Sequence, residues 1–156
     1  MIFRTAGEQN LTERMKQAEQ ILQQTQAACV VIQKDGTVVQ SELPGIRPLM
    51  GWLEQSPEIL KGACVADKVV GKAAALLMLY GGVAEVCGEL VSQAAIECLK
   101  EAHVPLTYGK AVPYILNRDH TGMCPMEQCC REIDSPKEAY EALKRMIQNR
   151  KAKSGT

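Results

Sequence analysis

Between Ala63 and Tyr108, short apolar runs alternate with helix-length stretches, and this alternation restricts the possible folds more than any other feature of the chain. Ala63-Cys64-Val65-Ala66 reads as a buried strand. Val69 to Leu79, rich in Ala and Leu with Lys72 as its one charge, reads as a buried helix stopped by Gly81-Gly82. Val83 to Cys87 reads as the next strand, Ser92 as the cap of a helix running to about Ala102, and Val104 to Tyr108 as another strand. Such alternation packs helices on a sheet, so the expected class is α/β.

The flanks add to this plan. Asn10 and Glu13 have capping-box spacing, and Leu11, Met15, Ala18, Ile21 and Leu22 recur at helical intervals up to about Gln26. Ala28 to Gln33 and Thr37 to Ser41 are β-branched runs on either side of Lys34-Asp35-Gly36, where Asp-Gly supplies the turn of a hairpin. With that hairpin the sheet is mixed and has about five strands. Pro44-Gly45 precedes a periodic helix from Ile46 to Leu53, and Ser56-Pro57 opens a turn. Lys110 to Met123 reads as the longest loop and delivers Cys124-Pro125 to a helix start; Asp134-Ser135-Pro136 opens a last helix to about Gln148. One domain over 1–156 is expected: helix, hairpin and helix to residue 60, a motif-bearing region over 61–133, and a C-terminal helix with a basic tail over 134–156.

Eighteen basic and eighteen acidic residues cancel, so no global field gathers nucleic acid or anionic membrane. Lys144, Arg145, Arg150, Lys151 and Lys153 make only the tail basic, as expected of a solvated helix end. The seven cysteines are odd in number and contain no C-x-x-C pair, which fits reduced thiols in a cytoplasmic protein. Ala73 to Tyr80 is too short to span a bilayer, and Met1-Ile2-Phe3-Arg4 leads into polar sequence, so neither export nor a membrane span is expected.

Three stretches concentrate chemistry. In Thr121-Gly122-Met123-Cys124-Pro125-Met126-Glu127, Pro125 starts a helix and puts Cys124 at its cap, where dipole and free N–H groups favour thiolate. Cys124 could then act as a nucleophile or acid, with Glu127 as proton shuttle, although a neighbouring carboxylate opposes thiolate formation. The structural alternative is that Cys124 and Glu127 merely cap that helix. In Ala66-Asp67-Lys68-Val69-Val70-Gly71-Lys72, a strand end passes into a helix start. Gly71 there allows close backbone approach, Lys72 can bind an anion and Asp67 can accept hydrogen bonds from a ligand. It is not a P-loop, because only one glycine precedes the lysine. Asn117-Arg118-Asp119-His120 adds donors: Arg118 could clamp an anion and His120 could serve the Cys124 thiol as a base.

From Ala66 to about Glu127 the sequence resembles a family of small bacterial proteins, a domain of unknown function with a cytidine-deaminase-like fold. The resemblance rests on Ala66-Asp67-Lys68-Val69-Val70-Gly71-Lys72-Ala73-Ala74-Ala75, Ser92, Ile115-Leu116-Asn117-Arg118 and Thr121 to Glu127. It implies a layered α/β/α domain with Asp67, Lys72 and Cys124 to Glu127 at the site, and it implies no reaction. Zinc deaminases need His or Cys two residues before Glu, and Pro-Cys-x-x-Cys. Neither histidine here fits, and Cys87-Gly88-Glu89 offers a first ligand without a correctly spaced second motif. No cofactor is therefore expected. The leading reading is a zinc-independent small-molecule site, whose ligand classes include nucleotide-like molecules, with Asp67, Lys72, Cys124 and Glu127 as reactive groups and Gly71, Ser92, Asn117, Arg118 and Gly122 lining it. The alternatives are a non-catalytic metabolite-binding or regulatory module, and a zinc or thiol-redox protein using Cys87, Cys124 and Cys129. A homodimer is compatible with the sequence but not required by it.

Overall fold

The computed structural model describes residues 12–154, with side chains described to residue 152. Helix α1 (Glu13–Gln24) begins at Thr12, whose hydroxyl accepts the Met15 N–H at 3.1 Å. The cap is therefore Thr12, and the expected Asn10 partner lies outside the described residues. Strands β1 (Cys29–Ile32) and β2 (Val38–Ser41) form the expected hairpin. Gln33 and Thr37 close its turn, the Asp35 carboxylate accepts the Thr37 N–H at 2.9 Å, and Gly36 takes a φ of 92° that a side chain would resist. Helix α2 (Arg47–Gln55) and a short 3-10 helix, Pro57–Ile59, lead to β3 (Cys64–Val70), α3 (Lys72–Gly81), β4 (Glu85–Ser92), α4 (Gln93–Glu101), β5 (Leu106–Val112), α5 (Pro125–Cys130) and α6 (Pro136–Ser154).

The sheet has five strands in the order β2-β1-β3-β4-β5. β1 is antiparallel to both neighbours while β3, β4 and β5 are parallel, so β2 to β5 all point their carboxyl ends to one edge and β1 alone runs the other way. Helix α1 covers one face, packing Met15, Ala18 and Leu22 against Val30, Ile32, Cys64, Ala66 and Cys87. The remaining helices lie on the other face around a larger core built from Leu49, Leu60, Leu76, Leu77, Leu99 and Leu143, all fully buried. The layers are the three expected. Among the described residues no helix is long and apolar enough to cross a membrane.

Three boundaries differ from the sequence reading, each for the same reason. Val69 and Val70 belong to β3 and not to the following helix, because Val69 and Val70 pair with Leu90 and Val91. β4 continues past Cys87 to Ser92, and β5 runs on to Val112, which takes Lys110 to Val112 out of the loop. Ladder hydrogen bonds from neighbouring strands hold these residues extended and override local propensity.

The helix read around the Ala/Leu run is as buried as expected, with Ala73 to Met78 all in the core, and it ends at Gly82 in the left-handed conformation (φ 80°). Its last residue, Gly81, lies under Leu60: a Cβ there would come within 2.8 Å of the Leu60 side chain. Gly81→Ala should therefore cost about 1–3 kcal/mol by overpacking, read as a lower urea midpoint at unchanged m-value.

Candidate functional site

On a strand, residues two apart share a face, so the register defines rows of side chains across the sheet. On the α3 side one row reads Val39, Val31, Val65, Val86, Leu106, wholly aliphatic. The next row towards the carboxyl edge reads Ser41, Cys29, Asp67, Gly88, Tyr108. Polarity switches within a single pair spacing, and a carboxyl stands at the centre of the sheet. Gly88 beside it must lack a side chain, because a Cβ would lie 2.6 Å from Val91 and 3.0 Å from Val70.

Asp67 is only 4% exposed. One carboxyl oxygen accepts the Val69 N–H at 3.3 Å, while the other is buried with no hydrogen-bond partner among the described residues. Burial raises its pKa to about 7, against the opposing pull of the Val69 amide and the Cys29 thiol. Burial and the Asp67 charge together push Cys29 far above the ordinary thiol range. A buried acceptor left open is uncommon, and it is a place where a water, an ion or a ligand group can bond.

Gly71, Lys72 and Glu127 meet at the carboxyl end of β3. The Glu127 carboxylate accepts the backbone N–H of Lys72 at 2.6 Å and of Ala73 at 3.1 Å, so it caps α3 and not its own helix. Gly71 makes room for it, since a Cβ there would overlap the carboxylate. Burial raises the Glu127 pKa, while the two amides and the Lys72 charge act the other way. The Lys72 ammonium, largely buried, donates to the Arg131 carbonyl and to Asp134, each at 3.1 Å. Lys72 and Glu127 thus both have partners within the fold.

The other predicted residues take separate places. Ser92 caps α4, its hydroxyl accepting the Ala95 N–H at 3.1 Å. Asn117 and Thr121 bond reciprocally at 3.0 and 3.1 Å within their own turn, Gly122 accepts the Asn117 N–H, and Arg118 is exposed. Cys124 occupies the cap position of α5 as expected, yet its side chain makes no capping bond, and α5 has only six residues from which to build a dipole. His120 is exposed with a φ of 57°. A cavity of about 360 Å³ between α3, α4 and α6 is lined by Lys72, Glu97, Cys98, Glu101 and Asp134, and Cys124 is not part of its lining.

The alternative metal set does not assemble. Cys87 faces α1, where its thiol donates to Glu19 at 3.6 Å, while Cys124 and Cys129 lie on or beside α5, which packs on α3 across the sheet. Among the described residues no three His, Cys, Asp or Glu side chains are grouped to hold a metal ion. Burial raises Cys87, and lifts Cys64 and Cys98 to about 11 and Cys130 to about 12, which keeps these thiols protonated.

A sequence motif marks Asp67 but none marks its neighbours Cys29, Ser41 and Tyr108. The Asp-Gly turn could have paired Cys29 with Ser41; nothing local pairs Cys29 with Asp67.

A five-stranded mixed sheet with helices on both faces, and a carboxyl buried in its central strand, defines a small layered α/β protein. Residues 17–147 match the family model for a domain of unknown function, DUF1893, and the chain belongs to that family. It is similar in structure to a DUF1893 family protein, TM1506, from Thermotoga maritima, with a TM-score of 0.76 and 24% identity, over 90% of this chain and 92% of that one. At that identity the likeness establishes the fold. No curated protein matches the chain.

Proposed function

We propose that the protein binds a small molecule, without zinc, at the carboxyl edge of its sheet, with Asp67 as the buried acceptor. The observation that carries this reading is the partnerless Asp67 oxygen in the one polar row of an otherwise aliphatic sheet face. Open α/β sheets place ligands outside the carboxyl ends of their strands, which is where Gly71, Ser92 and the loop bearing Asn117, Arg118, Gly122 and Cys124 gather in the chain path. In this reading Arg118 contacts an anionic group of the ligand, and Glu127 and Lys72 hold the frame around it. The nucleoside-like class of ligand rests on the resemblance to deaminase-like folds, an analogy of architecture. A carboxyl with a pKa of about 7 is also suited to exchanging a proton at neutral pH, which favours acid–base chemistry at Asp67 as the second reading.

The test is a thermal-shift and native mass-spectrometry panel of cytidine, adenosine, uridine and their monophosphates on the wild type and on Asp67→Asn. A ligand at one hundred times its Kd should stabilise the wild type by about 2.7 kcal/mol, and Asp67→Asn should lose most of that gain. A panel that shifts neither protein, or shifts both equally, defeats the reading.

A further inference from the structure

We infer that Glu127 is a latch: its carboxylate, seated on the first turn of α3, keeps the 113–124 loop closed over the carboxyl ends of β5, β4 and β3, and its release opens the way to Asp67. This concerns regulation of the site proposed above and rests on that reading.

The topology supplies the path. The chain leaves β5 at Val112, which pairs with Ser92 at the end of β4, and returns through α5 to Gly71 at the end of β3. Since β4 lies between β5 and β3, residues 113–127 must cross its carboxyl end. They arrive four residues beyond Asp67.

The loop is tied to itself more than to the sheet. Among the described residues its hydrogen bonds stay within 113–128: Asn117 with Thr121 and Gly122, Cys124 with Ile115, and Gln128 with the Met123 carbonyl. A loop bonded internally can move as one piece with the start of α5. The polar tie that stops it is the Glu127 carboxylate on the Lys72 and Ala73 amides, while the Lys72 bonds to Arg131 and Asp134 anchor the chain beyond α5. At the far end of α5, Cys130 is fully buried in the α3-side core and forms the natural pivot.

The contact is also exchangeable. Two helix N-terminal amides and the Lys72 charge attract the Glu127 carboxylate, while burial at 8% exposure opposes its charge. Water can solvate the released Glu127 carboxylate, and water or the anionic group of a ligand can accept from the freed α3 amides.

The experiment combines hydrogen exchange with carbodiimide and glycine ethyl ester labelling of carboxyl groups on the full chain. Glu127→Ala should speed exchange of residues 113–124 by about tenfold or more through a local opening that does not depend on low urea, and turn Asp67 from protected to labelled, whatever global destabilisation adds at the β1 and β3 amides. Glu127→Gln, which keeps the volume and one acceptor, should fall between it and the wild type, and it serves if the alanine variant does not fold. Exchange of residues 113–124 that rises only together with β3 and β4, with the urea dependence of global unfolding, would make Glu127 a stability cap and overturn the latch. A loop that loosens while Asp67 stays unlabelled would also overturn it, leaving the ligand reading to the Asp67→Asn panel. An unchanged loop in a folded Glu127→Ala protein overturns it outright.

Discussion

Asp67→Asn should stabilise the folded chain above pH 7 and flatten its pH dependence. An aspartate in an unfolded chain titrates near 3.9, whereas burial moves Asp67 to about 7. Between those values the folded protein holds a proton that the unfolded chain has released, so stability falls as pH rises through the interval. It is fully present below about pH 4 and levels off above about pH 7, with a total loss of up to about 4 kcal/mol. Asn keeps the acceptor for the Val69 N–H and has no charge to desolvate. Urea unfolding at pH 5 and pH 8 should therefore show the wild type losing stability by several times more than the variant. A small slope of the same sign should remain in the variant, because burial also raises Glu127. Equal slopes would mean that Asp67 is solvated or ion-paired in the folded protein.

The second large effect is expected at Gly71→Ala. Gly71 has a φ of −97° and a ψ of −177°, extended backbone that alanine adopts without strain, so any penalty must come from the added methyl. That methyl would overlap the Glu127 carboxylate and expel it from the α3 amides. Losing two charge-assisted hydrogen bonds should cost about 3–5 kcal/mol. The double variant with Glu127→Ala tests the cause. If the methyl acts only through Glu127, Gly71→Ala adds little once the carboxylate is gone, and the coupling energy is about 2–4 kcal/mol. Additive costs would place the conflict elsewhere in the α3 junction.

Both predictions turn on contacts whose members the sequence marks only singly. The motif around Gly71 and the motif around Glu127 are each legible in the sequence, as is their assignment to one site. Their relation was not: Glu127 caps a helix that starts 55 residues earlier, and a capping pattern read along the chain assigns a carboxylate to its own helix. Lys72 looked like an anion binder at a helix start because its partners, the Arg131 carbonyl and Asp134, lie in a turn 59 and 62 residues away. Cys124 was placed correctly at its cap, since Cys-Pro before a helix is a local signal, but whether its thiol caps, reacts or idles depends on packing.

By itself the sequence determined the layered α/β class, the Asp-Gly hairpin, the buried Ala73 to Met78 helix with its glycine stop, and the polar stretch holding Asp67. These follow from periodicity, turn chemistry and propensity, which act over a few residues. Only the tertiary structure decided that β3 runs through Asp67 to Val70, that β1 opposes the other four strands, and that Cys29, Asp67, Gly88 and Tyr108 share one row. Strand pairing joins residues distant in the chain, and its ladder energy overrules the helix preference that Val69 and Val70 borrow from the alanines after them. The open oxygen of Asp67 exists only in that assembled sheet, because burial and the absence of a partner are properties of neighbours that no stretch of sequence contains.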